Sequence, residues 1–163
     1  MKTLQTYRLK PNPAGKDKNR NGRATQVQLG AEWVDIRNTG RLPVNIDSVR
    51  LHHVAFINGR PSHWEIVTYF RVVLQPGQVI RVHSGSGPVS ALNPEDLRGA
   101  DINAFTSRDL YIWNNSEGDT SRLTELVNGN EVETDKAGYA PNPPEGVVFV
   151  RSGDALVPGR LAA

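Results

Sequence analysis

The sequence predicts a single all-β domain. Apolar and polar residues alternate with a period of two in several short runs that are rich in β-branched and aromatic side chains. Turn-forming residues such as Asn128-Gly129 separate these runs, whereas a turn of helix is indicated only at 94–100, with Asn93 as its cap. About eight short strands joined by tight turns are typical of a β-sandwich or a β-barrel.

The predicted strands follow one another along the chain. The first covers 33–37, and the stretch 42–56 leads to a turn at Asn58-Gly59. Pro76 and Gly77 occupy the central positions of a type II turn, which predicts a hairpin between residues 69–74 and 79–83. Further candidate strands cover 110–113, 122–127, 131–135 and 147–150.

Composition excludes several classes of protein. The chain of 163 residues contains no cysteine, so disulfides, thiolate zinc sites and cysteine nucleophiles are ruled out. No apolar run approaches the roughly 20 residues of a membrane span, and residues 1–10 lack the apolar core of a signal peptide. We therefore expect a soluble protein without membrane insertion, cytoplasmic as written and extracellular if a signal peptide has been removed.

The formal charge of +2 conceals a basic N-terminal region. Residues 1–31 carry seven cations and a single carboxylate, Asp17, whereas the remainder carries 12 cations and 16 anions. Such a region can bind nucleic acid or another polyanion, or dock on the body of the protein, although solvated loop charges are the simpler interpretation. The candidate polyanion contacts are Lys10, Lys16, Lys18, Arg20 and Arg23.

One segment partly matches a calcium-binding loop. Asp17, Asn19 and Asn21, followed by Gly22, fit the first half of a pattern in which alternate oxygens surround a hard cation. The twelfth position is Gln28 instead of a bidentate glutamate, and several cations lie in the same stretch. We therefore predict a polar loop without metal, with calcium as the alternative.

Catalytic residues are not recognisable in the sequence. His52 and His53 are adjacent and point to opposite faces of a strand, so they do not form a metal-ligand pair. Glu32 and Asp35 also face opposite ways, which does not suit a glycosidase pair. We expect no enzyme activity, no cofactor and no small-molecule substrate.

Five segments, taken in order, resemble the lamin tail domain family. They are 32–40 (EWVDIRNTG), 43–46 (PVNI), 74–78 (LQPGQ), 81–87 (RVHSGSG) and 111–119 (YIWNNSEGD). The resemblance covers about residues 26–139 and implies an immunoglobulin-like β-sandwich that acts as an interaction or structural module. The chain departs from the family at Ser48-Val49, where a Gly-Trp pair is usual, and at 54–68, which is longer than the family usually has.

These observations predict three parts of the chain. Residues 1–25 form a basic N-terminal arm or loop, 26–139 form the lamin-tail-like sandwich of about eight short strands, and 140–163 form a proline-containing linker with a C-terminal strand or tail. The N- and C-terminal parts are extensions of an all-β core.

Our functional hypothesis is a non-catalytic scaffold or adhesion module that binds a protein or itself. The candidate contacts are Trp64, which can be a hot spot or can pack onto the domain, and Val148 and Val150, whose strand can add to a sheet edge of its own or of a neighbour. The alternatives are polyanion or nucleic-acid binding through the N-terminal arm and a role as accessory module of a separately encoded hydrolase.

Overall fold

The computed structural model describes residues 3–15, 17–18 and 21–159, and it confirms the all-β prediction. Strands account for 48% and helices for 8% of the structure. One large sheet of ten strands closes nearly into a barrel, and two further short strands pair separately.

The described residues form more strands than the sequence predicts. They are β1 (Leu4–Lys10), β2 (Trp33–Asn38), β3 (Val44–Asn45), β4 (Val49–Ile57), β5 (Arg60–Tyr69), β6 (Val73–Leu74), β7 (Val79–His83), β8 (Ile102–Phe105), β9 (Asp119–Val127), β10 (Asn130–Tyr139), β11 (Phe149–Ser152) and β12 (Ala155–Pro158). The connections contain α1 (Gln26–Gly30), α2 (Pro94–Leu97) and a 3-10 turn at Val89–Ala91.

The large sheet has the strand order β5-β4-β9-β10-β12-β11-β1-β2-β7-β8. Its neighbours are antiparallel except for the parallel pairs β10–β12 and β7–β8. The edge strands β5 and β8 are bridged by Arg108, which follows β8. Its guanidinium donates to Glu65 Oε1 at 2.8 Å and to the carbonyl of Ile66 at 3.0 Å. Side-chain hydrogen bonds therefore connect the edge strands β5 and β8, which are not paired through their backbones.

The apolar core lies inside the curved sheet. Val34 and Ile36 of β2 belong to the same buried cluster as Leu51 of β4 and Leu123 of β9. Because successive side chains of a strand point to opposite faces, the residues between these positions lie on the outer face. We call β1, β2, β7 and β8 the first half of the sheet and β4, β5, β9 and β10 the second half.

Two hairpins close on Asn-Gly turns. Asn58-Gly59 joins β4 to β5 and Asn128-Gly129 joins β9 to β10, and all four residues have φ between +50° and +79°. This backbone suits the two-residue turn that matches the twist of the strands. The β9–β10 hairpin follows the prediction, whereas the segment 54–68, which the resemblance marks as an unusually long excursion, lies in the β4–β5 hairpin.

Two local predictions are wrong. The predicted hairpin of 69–74 with 79–83 does not form, because β5 continues to Tyr69, β6 pairs with β3, and β7 is paired on its two sides by β2 and β8. Residues 110–113 form an irregular segment instead of a strand. In the first case each strand pairs with a partner outside the predicted hairpin, and in the second the amide of Ile112 donates to the Glu32 carboxylate instead of to a neighbouring strand.

The ends of the described chain belong to the sheet. Residues 4–10, predicted as part of an arm, form β1 between β2 and β11. The predicted C-terminal strand is β11, and β12 pairs with both β11 and β10. The expected division of the chain into an arm, a body and a tail is therefore not visible in the strand pairing.

The two helices have short capping signals. Thr25 and Gln28 form a reciprocal capping box at α1, which the sequence analysis did not identify. Asn93 occupies the N-cap position of α2 and Pro94 is its first residue, as predicted, but the Asn93 side chain makes no capping hydrogen bond and the helix ends at Leu97. Among the described residues, no helix is both long and apolar enough to cross a bilayer.

Candidate protein-interaction surface

The outer faces of the two halves each carry an arginine stacked on a tryptophan. In the first half, the Arg81 guanidinium lies 3.6 Å from the centre of the Trp33 ring. Its Nε and Nη2 donate to the two carboxylate oxygens of Asp35 at 2.7 and 2.9 Å. The Arg81 and Asp35 side chains are almost completely buried. This bidentate pair is a structural ion pair without access to solvent.

A segment of the chain itself covers this first arginine–tryptophan pair. Asp96 of α2 accepts hydrogen bonds through Oδ1 from Lys10 Nζ at 2.8 Å and from Trp33 Nε1 at 3.1 Å. The carbonyl oxygens of Asp96 and Arg98 each accept one from Arg81 Nη1 at 2.9 Å. We call Lys10, Trp33, Asp35, Arg81 and Asp96 the covered cluster.

The position of this segment depends on a close approach between two loops. The segment 84–101 connects β7 to β8 and folds over the outer face of the first half, with Leu92 packed against α1. A β-carbon at Gly30 would lie 2.1 Å from Leu92 Cδ2, so any larger residue there would displace the Leu92 side chain. The carboxylate of Asp96 is thereby brought to strands β1 and β2.

In the second half, strand register brings a similar set of side chains to the outer face. Arg50 of β4 is opposite Tyr69 of β5, and Val54 is opposite Trp64. On the other side of β4, His52 is opposite Arg122 of β9. Directly opposed residues share a face of an antiparallel sheet, so these side chains form one surface.

Two cation–π contacts organise this second surface. Arg122 lies 5.1 Å from the centre of the Trp64 ring, and Arg50 lies 5.7 Å from that of Tyr69. Arg122 Nε also donates to Glu133 Oε2 at 2.7 Å. Trp64 is 37% and Tyr69 63% exposed, so no described segment covers them as α2 covers Trp33. We call Arg50, His52, Trp64, Tyr69 and Arg122 the Trp64 surface.

His52 lies beneath the exposed side chains of this surface. Its Nε2 is 3.1 Å from Glu131 Oε1, whereas its Nδ1 is buried without a hydrogen-bond partner. Burial lowers the pKa of His52, which favours the neutral imidazole. Beside Trp64, a groove of about 240 Å³ is lined by Val54, Pro61, Ser62, His63 and Trp64.

Of the five predicted polyanion contacts, the described residues place two, Lys18 and Arg23, at one cavity. Lys10 is buried in the covered cluster and does not face solvent, which corrects its assignment as a contact. Lys16 and Arg20 lie outside the described residues. Lys18 and Arg23 line one cavity of about 570 Å³ together with Tyr111 and other residues.

The calcium candidates do not form a ligand set in the described residues. Asp17 and Asn21 are exposed, and Asn19 lies outside the described part. The backbone carbonyl of Asp17 accepts a hydrogen bond from the Tyr111 hydroxyl at 2.7 Å, and burial raises the pKa of Tyr111 to about 12. Among the residues that the structure describes, no cluster of three or more histidine and acidic side chains can hold a metal ion.

The candidate contacts at the C-terminal strand have partners within the chain. Val150 of β11 is opposite Arg8 of β1 on one side and Val157 of β12 on the other. The carbonyl of Val148 accepts a hydrogen bond from Gly159 at 2.8 Å. This strand therefore adds to its own sheet and offers no free edge to a neighbour, unlike β5.

Sequence reasoning missed a buried carboxylate that organises the loops. Asp119 Oδ2 lies 2.9 Å from His53 Nδ1 and accepts from Asn114 Nδ2 at 2.8 Å, while Oδ1 accepts from the amide of Val54 at 2.9 Å. A β-carbon at the preceding Gly118 would lie 2.5 Å from the carbonyl oxygen of Tyr139, which explains the glycine. In the sequence, the Gly-Asp pair that ends the lamin-tail-like segment 111–119 was the feature that could have indicated this buried carboxylate.

Glu32 is a second buried acid that sequence reasoning did not single out as structural. It accepts hydrogen bonds from the amide of Ile112 at 2.7 Å and from the hydroxyl of Ser84. Burial raises the pKa of Glu32 to about 8 despite these bonds. Both partners belong to connecting loops, so Glu32 joins loops to the start of β2.

No protein-family model matches the chain, and no curated protein matches it.

Proposed function

We propose that the protein is a non-catalytic interaction domain that binds a partner protein through the Trp64 surface. The observation that carries this proposal is the exposure of Trp64 and Tyr69 on the outer face of the second half. In the first half, the similar arginine–tryptophan pair of the covered cluster lies beneath α2. Tryptophan, tyrosine and arginine are the residues most enriched among binding hot spots. Trp64 and Arg122 also restrain each other, which lowers the entropy lost when a partner binds.

The resemblance to the lamin tail domain supports the same class of function. Asn38, in the first lamin-tail-like segment, accepts the amide of Gly77 in the third segment and donates through Nδ2 to the carbonyl of Leu74. The segments of the resemblance are thus bonded to one another in space. The two halves of the sheet around one core also suit an immunoglobulin-like sandwich, the finer fold that we propose.

A matched pair of variants tests the proposal. Trp64→Ser removes the centre of the Trp64 surface, whereas Leu42→Ser removes an exposed apolar side chain, 74% accessible, outside that surface. Tagged full-length wild type and both variants are used for affinity capture from the source cells, and the captured protein is purified and titrated calorimetrically. We expect Trp64→Ser to weaken binding by more than about tenfold and Leu42→Ser to leave it unchanged.

Two results would overturn this function. One is that the wild type captures no protein above the level retained by Trp64→Ser. The other is that the purified partner binds Trp64→Ser and the wild type equally. Far-UV circular dichroism of both variants verifies that a loss of binding is not a loss of fold.

Polyanion binding is the second candidate function, favoured by the cavity that Lys18 and Arg23 line. It predicts retention of the protein on heparin or single-stranded DNA at about 50 mM salt, with affinity falling steeply as salt rises. The double variant Lys18→Gln and Arg23→Gln would then elute earlier than Arg60→Gln, which changes an exposed cation elsewhere. Passage of the wild type through the column without retention would exclude this function.

A further inference from the structure

We infer that the Trp64 surface, if it is the interaction surface proposed above, binds a short acidic segment of the partner protein next to an apolar residue. The covered cluster provides the template within the same molecule. There, Asp96 lies across a stacked Arg81–Trp33 pair: its carboxylate accepts from Trp33 Nε1 and Lys10 Nζ, and its main-chain carbonyl accepts from Arg81 Nη1. The Trp64 surface has the same stacked pair without such a segment.

The donors of the Trp64 surface are available for an anionic group. In the described part of the chain, the Arg122 guanidinium donates a hydrogen bond only through Nε, so its two Nη groups have no protein acceptor. The guanidinium of Arg50 contacts the Tyr69 ring, and no described carboxylate lies within 4 Å of it. A carboxylate that reaches the free Nη groups of Arg122 would make charge-assisted hydrogen bonds like those that Arg81 makes to Asp35.

The charge of this face favours an acidic over a basic partner. Glu133 is already bonded by Arg122 and approached by Lys136 at 3.8 Å, and Glu131 lies against His52. Glu131 also accepts from the Thr124 hydroxyl at 2.6 Å, and with His52 neutral the three cations Arg50, Arg122 and Lys136 outnumber the two carboxylates. An incoming cation would find no unengaged carboxylate here among the described side chains.

The groove beside Trp64 defines the second part of the segment. Its volume of about 240 Å³ and its lining by Val54, Pro61 and Trp64 suit one apolar side chain of the partner. The groove adjoins the ring that Arg122 contacts, so an apolar residue one or two positions from the acidic residue reaches both sites. The Trp64 surface therefore recognises an extended segment in which an acidic residue and an apolar residue lie one or two positions apart.

Defined peptides test the inference on the full chain. The probe is the acetylated and amidated peptide GDELDEG, and the comparison peptides are GNQLNQG, which lacks the charge, and GDEGDEG, which lacks the apolar residue. Binding is followed by NMR through the indole N–H signals of the three tryptophans. We expect GDELDEG to shift the Trp64 signal saturably, and each comparison peptide to bind about tenfold more weakly or not at all.

Arginine variants locate the binding site. Arg50→Gln and Arg122→Gln each weaken binding of GDELDEG about tenfold, whereas Arg41→Gln, an exposed cation outside the surface, leaves it unchanged. Dispersed amide spectra verify that the variants are folded. A salt titration of the wild type provides an independent readout, since raising salt from about 50 to 500 mM weakens an exposed ionic contact severalfold.

Three outcomes would overturn the inference. They are no shift of the Trp64 signal at millimolar GDELDEG, equal binding of GNQLNQG, and a preference of this surface for a single-stranded oligonucleotide. Each of these leaves the proposed protein-binding function to be judged by Trp64→Ser and its native partner. Loss of the native partner in Trp64→Ser combined with failure of GDELDEG would mean that the surface binds a protein by apolar contact without acidic recognition.

Discussion

The covered cluster and the Trp64 surface use the same chemistry in two different surroundings. Each contains a guanidinium over a tryptophan ring and a carboxylate bonded to that guanidinium. The carboxylate of Asp35 is completely buried, whereas that of Glu133 is 40% exposed. Ion pairs in water contribute little to stability, but removing one member of a buried pair deprives the other of a charged partner that water does not replace.

The two clusters differ in whether a segment of the chain covers them. The 84–101 segment removes the first arginine–tryptophan pair from water and bonds to its remaining donors. The second pair has no such segment among the described residues and keeps donors and an aromatic surface accessible. Residue types alone therefore do not distinguish a covered cluster from an exposed one.

Replacing the two arginines should give the largest difference between the clusters. Arg81→Met leaves the buried Asp35 with Arg8 as its remaining cationic partner and is expected to lower the free energy of unfolding by about 3 to 5 kcal/mol. Arg122→Met should cost about 0 to 1 kcal/mol, because its partner Glu133 remains hydrated. Urea denaturation of both variants measures the difference. Equal losses would show that cover does not separate the clusters.

The contribution of Asp96 to holding the 84–101 segment over the first arginine–tryptophan pair can be tested by substitution. Asp96→Ala leaves Lys10 without its carboxylate and the Trp33 N–H without an acceptor, so we expect a loss of about 2 to 3 kcal/mol. The matched variant Glu133→Ala removes the exposed carboxylate from Arg122 and should cost less than about 1 kcal/mol. Thermal unfolding of the two variants in parallel provides the measurement. A cost for Glu133→Ala as large as that for Asp96→Ala would contradict the assignment.

Local sequence signals were sufficient for part of the fold. The alternation from Trp33 predicted β2, and Asn128-Gly129 predicted the β9–β10 hairpin. The position of β1 in the middle of the sheet was not predictable, because its neighbours β2 and β11 are chosen by long-range pairing that leaves no local pattern. The helix α1 could have been predicted from Thr25 and Gln28, whose spacing is that of a capping box, but Gln28 was considered only as the last position of a calcium loop.

The same limit applies to the candidate site. Trp64 could be named from the sequence as a contact, but its arginine partner, on a strand 58 residues later, could not. Lys10 looked like any cation of a basic arm, and its burial depends on Asp96, which is 86 residues away. Charged and aromatic residues can be identified in a sequence, whereas their burial beneath another segment depends on how the chain folds.

Titration should distinguish the halves by the sign of their pH dependence. Glu32 precedes β2 in the first half, and its pKa is raised from 4.5 to about 8, so the folded protein retains a proton that the unfolded chain loses. Stability is fully present below pH 4.5 and falls as pH rises toward 8, by the order of 1 kcal/mol per unit. Glu32→Gln should flatten this slope in urea titrations at pH 5 to 8, and an unchanged slope would mean that Glu32 is ionised in the fold.

His52 in the second half should produce the opposite slope. Burial lowers its pKa below 6.5, so the unfolded chain binds a proton that the folded protein excludes. Its contribution to stability is present above pH 6.5 and is lost as pH falls through the folded pKa. His52→Gln is expected to reduce the acid sensitivity of unfolding below pH 6.5 without altering the slope that Glu32 causes. Acid sensitivity equal to that of the wild type would contradict this assignment.

The smallest expected effect is the coupling between Trp64 and Arg122. A double-mutant cycle with Trp64→Leu and Arg122→Met should give a coupling free energy of about 0.5 to 1 kcal/mol, the range of exposed cation–π pairs. The corresponding cycle with Trp33→Leu and Arg81→Met should give about 2 kcal/mol or more, because that pair is desolvated. A coupling near 2 kcal/mol at Trp64 would mean that Arg122 is already fixed as part of the structure. A weak coupling leaves the guanidinium able to reorient toward an incoming carboxylate at little cost to the fold.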